Sequence, residues 1–250
     1  MTPLDALAIL VAGIGAGALN AVVGSGSLIT FPTLLALGYP PVVANVSNTI
    51  GLVPGGVSAA VGYRRELVGQ SGRIRRLGVA AVLGGLTGAA LLLVLPESVF
   101  FRLVPILIIV ACILVALQPR ITAAVAARTP GDTEHSTLLA LGVYLAAVYG
   151  GYFGAAQGVI LISILAILVV DDLQRLNGLK NVLVAIVNGV AAVVFMLVAP
   201  VSWPVVALIA IGSVIGGQLG AIFGRRLRPN VLRAGIVVVG MTVAIRLLLA

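Results

Sequence analysis

Two short interruptions in otherwise apolar sequence hold the residues best suited to chemistry. Gly24-Ser25-Gly26-Ser27 breaks one apolar run, and Ala155-Ala156-Gln157-Gly158 breaks another. A helix that starts inside a membrane presents free N–H groups and the positive end of its dipole, so two facing breaks would bind an anion with few charged side chains. A glycine-rich packing contact accounts for the same residues equally well, since small side chains let membrane helices approach closely. Each break is followed by a polar cluster at the start of a longer apolar helix: Asn45, Ser47, Asn48 and Thr49 after the first, Asn177, Lys180 and Asn181 after the second. Asn45 and Asn177 suit both ligand binding and capping of a first helical turn. Lys180 is the single lysine among 15 basic residues. Its flexible ammonium either neutralises an oxyanion or snorkels to the membrane surface. The candidate substrate-binding set is therefore Ser25, Gly26, Asn45, Ser47, Asn48, Thr49, Gln157, Gly158, Asn177, Lys180 and Asn181.

The remaining polar residues point elsewhere. Asp171, Asp172 and Arg175 read as a solvated turn, because adjacent carboxylates repel unless water or a cation screens them. Tyr149 and Tyr152 suit an aromatic interface belt or the lining of a path. The Gly84/Gly85/Gly88 and Gly216/Gly217/Gly220 motifs read as small-residue packing faces. An enzyme is not indicated: the sole histidine, His135, sits in a polar linker, no His or Cys cluster could hold a metal, and no nucleophile has a base beside it. No cofactor is called for.

The elements that must position these residues are membrane helices. Of 250 residues, 61% are hydrophobic and 9% charged, against about 25% charged in an ordinary soluble domain. The net charge of +8 falls mostly on arginines in short loops, which marks topology rather than a nucleic-acid surface. The start of the chain offers Asp5 and no basic residue, so it reads as a retained helix rather than a secretory signal. Cys112, the lone cysteine, lies in an apolar run and reads as core filler.

Sliding the chain against itself by 132 residues superposes Gly26 on Gly158, Asn45 on Asn177, and the Gly84-Gly85 motif on Gly216-Gly217. The first half divides into runs at 4–23, 28–37, 42–62, 77–95 and 99–117, and the second half repeats that order. Runs 28–37 and 159–170 would extend roughly 15–18 Å as helix, short of the roughly 30 Å hydrocarbon layer. Arg64, Arg65, Arg73, Arg75 and Arg76 place their loop in the cytoplasm, whereas the equivalent segment of the second half, 196–208, is uncharged. The next loops reverse this: Pro96-Glu97-Ser98 is not basic, and Arg225, Arg226 and Arg228 are. The expectation is an all-α, polytopic, inverted-topology repeat, each half with three full spans plus a short broken or re-entrant helical pair. Its parts are a first repeat at 1–118, a cytoplasmic linker at 119–136 and a second repeat at 137–250, with both termini outside.

The glycine-rich segment 13–26, the stretch LITFPTLLALGYPPVVANVSNTIGLVPGGVSAAVGYRR after it, and the second-half echo QRLNGLKNVLVAIVN resemble the sulfite exporter TauE/SafE family of permeases (4-toluene sulfonate uptake permease-like). Asn45-Val-Ser47-Asn48 departs from the Gly-Thr or Ala-Thr of many members. The resemblance implies transport of sulfite, sulfonate or sulfoacetate-type anions across the bacterial inner membrane, with the bilayer and a small anion as partners. A passive anion channel or a carrier of small carboxylates would satisfy the same physics. The sequence does not identify a coupling ion, proton or sodium, and is compatible with a homodimer.

Overall fold

A computed structural model describes residues 1–126, 136–223, 237–238 and 240–245. Nine helices are delimited among them: α1 (Pro3–Val22), α2 (Ser27–Ala36), α3 (Pro41–Gly62), α4 (Ser71–Val94), α5 (Glu97–Ala126), α6 (Ser136–Tyr152), α7 (Gln157–Leu168), α8 (Leu173–Val198) and α9 (Trp203–Phe223). The centre of the expected linker, with His135, and the arginine run at 224–228 lie outside the described residues. Helix α5 continues through Pro119 to Ala126, so helix occupies the beginning of the segment read as linker.

Local chemistry sets the ends. α1 opens with a capping box in which the Thr2 hydroxyl accepts from the Asp5 amide and the Asp5 carboxylate accepts from the Thr2 amide, with Pro3 at the first helical position. α3 likewise opens on Pro41. Asp172 caps α8 by accepting from the Gln174 amide at 2.8 Å.

Five helices, α1, α4, α5, α8 and α9, are long and apolar enough to cross a membrane. Exposed Val79, Ile106, Ile113, Val193 and Ile211 on several of them would be costly in water and suit lipid contact. The chain is thus a multi-pass helical membrane protein. α3 is 22 residues long but is not among those five, and it carries the polar row at 45–49. The short runs form α2 and α7, of 10 and 12 residues.

The 132-residue spacing recurs at two pairs of helix starts. α3 and α4 begin at 41 and 71, α8 and α9 at 173 and 203, each 132 residues later. Contacts along the helices give their directions. Gly13 and Gly17 of α1 meet Ile209 and Ser213 of α9, and Gly51, Gly55 and Gly62 of α3 meet Ile209, Ser213 and Ala221, so α1, α3 and α9 run together. Gly84 and Gly88 of α4 meet Tyr144 and Val148 of α6, a second parallel pair. α8 runs with α4, since Arg73 pairs with Asp171 at one end and Gly85 packs on Val187 further along. It runs against α3, where Gly56 meets Ala185 and Tyr63 meets Gly178. α1, α3 and α4 therefore run opposite to α6, α8 and α9, respectively.

Glycine makes these pairings possible. A Cβ at Gly216 would collide with the Ile14 carbonyl, and one at Gly88 with the Val148 carbonyl. With lipid as apolar as the side chains, such close backbone contact supplies the van der Waals attraction that holds membrane helices together. Both glycine motifs are packing faces, as their spacing indicates.

Candidate functional site

The two breaks touch. The Gly158 amide donates to the Gly24 carbonyl at 3.1 Å, and a Cβ on either glycine would run into the other's backbone. Gly24 is left-handed at φ 81°, and so is Ala156, its counterpart 132 residues on, at φ 57°. That conformation costs an alanine about 1–2 kcal/mol, so the surroundings must hold the turn at Ala156. The crossing spends the Gly158 N–H on protein, leaving one fewer amide for a ligand than two open helix starts would offer.

On one side of the crossing, α8 grips the end of α1. Asn177, Lys180 and Asn181 are spaced i, i+3, i+4 and share a helical face. The Asn177 and Asn181 amides each donate to the Ala21 carbonyl at 3.2 Å. Lys180 Nζ donates to the Asn20 carbonyl at 3.2 Å and the Ala21 carbonyl at 3.4 Å. These carbonyls lie in the last turn of α1, where the helix dipole is negative and attracts a cation. Lys180 is only 1% exposed. It does not snorkel, because the end of α1 satisfies its ammonium inside the protein.

On the other side, α3 meets the end of α6. Asn45 Nδ2 donates to the Tyr152 carbonyl at 3.1 Å, and the Thr30 hydroxyl of α2 donates to Asn48 Oδ1. Thr49 is buried on the same face. The Gln157 amide lies flat on Gly150, where a Cβ would leave it no room. Gly26 donates to Asn20 Oδ1 at 3.4 Å, tying the first break back to the last turn of α1.

Ser47 is the member of the set that the fold turns away. Its hydroxyl accepts from the Ser202 amide at 2.9 Å, at the start of α9. The other candidates form two groups joined through Gly24 and Gly158. Several polar atoms there are buried without a partner among the described residues: Ser25 Oγ, Asn45 Oδ1, the Tyr152 hydroxyl and both amide atoms of Gln157. Buried polar groups are costly to leave unpaired, so these atoms are the natural contacts for a polar guest.

Three expectations change. Asn45 and Asn177 do not cap helices: Pro40 and Asp172 occupy those positions, and both asparagines sit five residues further in. Tyr149 and Tyr152 form no interface belt. They pack with Phe31, Phe100 and Phe153 in a ring cluster, and the Tyr149 hydroxyl donates to the Ala155 carbonyl at 2.6 Å. Asp171 is not simply solvated, since Arg73 donates to one oxygen at 2.9 Å and Arg175 to the other at 2.8 Å. Burial raises the Asp171 pKa, but hydrogen bonds from Arg73, the Asp172 amide and Arg175 outweigh it and hold the carboxyl below its ordinary value.

Two contributors went unread in the sequence, Asn20 and Thr30. Asn20 is the one amide in α1, a turn before the glycine break, and that position was the signal available. Thr30 offered none, because an isolated threonine in an apolar helix is common.

The chain matches the family model described as sulfite exporter TauE/SafE over residues 9–247. It is 26% identical over 225 residues to a probable membrane transporter protein of Haemophilus influenzae, covering 87% of this chain and 85% of that one. A probable membrane transporter protein ORF9 of a Sinorhizobium species is 25% identical over 248 residues, covering 96% and 91%. The probable membrane transporter protein YfcA of Escherichia coli K12 is 25% identical over 241 residues, covering 93% and 86%. No solved structure matches.

Proposed function

The chain belongs to the sulfite exporter TauE/SafE family, and on that premise we propose that it is a secondary carrier of small sulfur-containing anions, of the sulfite, sulfonate or sulfoacetate type. It acts across the bacterial inner membrane by alternating access. The observation that carries this reading is the crossing of two broken helices at Gly24 and Gly158, with buried amides on both sides and one buried ammonium, Lys180, on the α8 side.

The two halves form an inverted-topology repeat, a design that places the binding site of many carriers at discontinuous helices near the bilayer midplane. Opposite running of α1 and α6, α3 and α8, and α4 and α9 supports this. The arginine-rich loop after α3 lies in the cytoplasm, which puts both termini outside. In the site, Lys180 supplies the positive charge, while Asn45, Asn48, Gln157, Asn177, Asn181 and Ser25 supply hydrogen bonds. Rocking of one half against the other parts the Gly24–Gly158 contact and exposes the anion to one side at a time.

A flux screen of purified protein in liposomes against sulfite, alkanesulfonates, sulfoacetate, thiosulfate and small carboxylates tests the substrate class. Saturable flux of at least one sulfur anion is expected. Carboxylate flux with no sulfur anion moved would overturn the assignment.

A further inference from the structure

A second cluster of charge lies away from the glycine crossing, at the arginine-rich end of the helices. Gly69, Gln70, Gly72, Arg73 and Arg76, from the start of α4 and the loop before it, face Asp171, from the turn before α8, and Arg175, in its first turn, across a pocket of about 300 Å³. The lining sets the guanidiniums of Arg73 and Arg175 on one carboxylate with Arg76 beside them, drawn from both halves of the chain. Asp171 bridges Arg73 and Arg175, and Gln70 Nε2 fixes the two segments by donating to the Glu66 carbonyl at 2.8 Å and the Arg175 carbonyl at 3.0 Å. Arg175 uses Nε on Asp171 and Nη1 on the Val68 carbonyl. A guanidinium has five N–H donors, so its Nη2 is left without a partner among the described residues.

The positive-inside bias explains why arginines collect at this end. It does not explain why arginines from two distant segments line one pocket, Arg73 and Arg175 held by a shared carboxylate. Arginine pairs planar donors with phosphate-type oxygens, and basic pockets between membrane helices at the cytoplasmic surface hold anionic headgroups. We propose that the Arg73/Arg76/Arg175 pocket is a second anion site, distinct from the central one, that takes a phosphate-type oxyanion presented either by an anionic lipid headgroup or as a free ion.

The test measures binding rather than flux, so it stands apart from the carrier assignment. Full-length protein is titrated in detergent with phosphatidylglycerol, phosphatidylethanolamine, inorganic phosphate and sulfate, and read by native mass spectrometry and thermal shift. Saturable binding of phosphatidylglycerol over phosphatidylethanolamine assigns a headgroup; equal response to inorganic phosphate or sulfate assigns a free ion. The double variant Arg76→Gln, Arg175→Gln is expected to weaken that binding at least tenfold, and Asp171→Asn, which removes the competing carboxylate, to strengthen it severalfold. If the double variant does not fold, Arg76→Gln alone is expected to weaken it several-fold. Failure of wild-type protein to bind any anionic probe saturably, or unchanged binding in the folded arginine variants, overturns the proposal.

Discussion

Gly24 and Gly158 meet backbone to backbone, the amide of the second donating to the carbonyl of the first at 3.1 Å. They come from helix breaks 134 residues apart in the chain, yet neither tolerates a Cβ toward the other. The contact joins the two halves where each reverses direction.

Substituting Gly158→Ala is therefore expected to destabilise the folded protein by about 1–3 kcal/mol, the range for overpacking, and to suppress flux. Gly24→Ala should do at least as much harm, because it adds a left-handed backbone strain. Gly189→Ala, with open space around its Cβ position, serves as the control and should leave thermal stability in detergent unchanged or slightly raised.

Lys180→Met keeps an unbranched side chain while deleting the ammonium. The protein is expected to fold, with anion affinity lowered at least tenfold, equivalent to about 1.4 kcal/mol. Full affinity in a folded Lys180→Met protein would restrict the lysine to bracing the end of α1.

Much of this arrangement was legible in the sequence for physical reasons. Hydropathy and arginine placement are properties of whole segments, so the short helices α2 and α7 and the long apolar spans follow from patterns many residues long. Asn45 and Asn177 were harder to read. Asparagine caps helices and also binds across them, and only the first turn built on Pro41 or on the Asp172 cap shows that both lie inside. Ser47 and Asn48 are adjacent, but a helix turns about 100° per residue, which aims Asn48 at Thr30 and Ser47 at Ser202. The partnership of Lys180 with Asn20 and Ala21 spans 160 and 159 residues, and no local pattern encodes it.

The Asp171 bridge makes a pH prediction with a definite sign. Its pKa is lower folded than the ordinary 3.8, so its contribution to stability is present above that value and is lost as pH falls through the lowered one. Wild type should melt above Asp171→Asn at neutral pH, and the gap should close on acidification below about pH 4. A gap independent of pH would show that charge is not what Asp171 contributes.

The orientation proposed from the loop charges is open to labelling. In a Cys112→Ala background, Thr2→Cys is expected to react with a membrane-impermeant maleimide applied to whole spheroplasts, and Arg65→Cys only after lysis. The reverse pattern would invert the proposed orientation.

The most direct test of the sulfur-anion carrier is counterflow. Proteoliposomes loaded with unlabelled sulfite or alkanesulfonate are diluted into a trace of the same anion carrying label. A carrier should accumulate label transiently inside, with trans-stimulation that is lost in Lys180→Met. Saturable sulfur-anion flux without any trans-stimulation would contradict alternating access and identify a passive anion path instead.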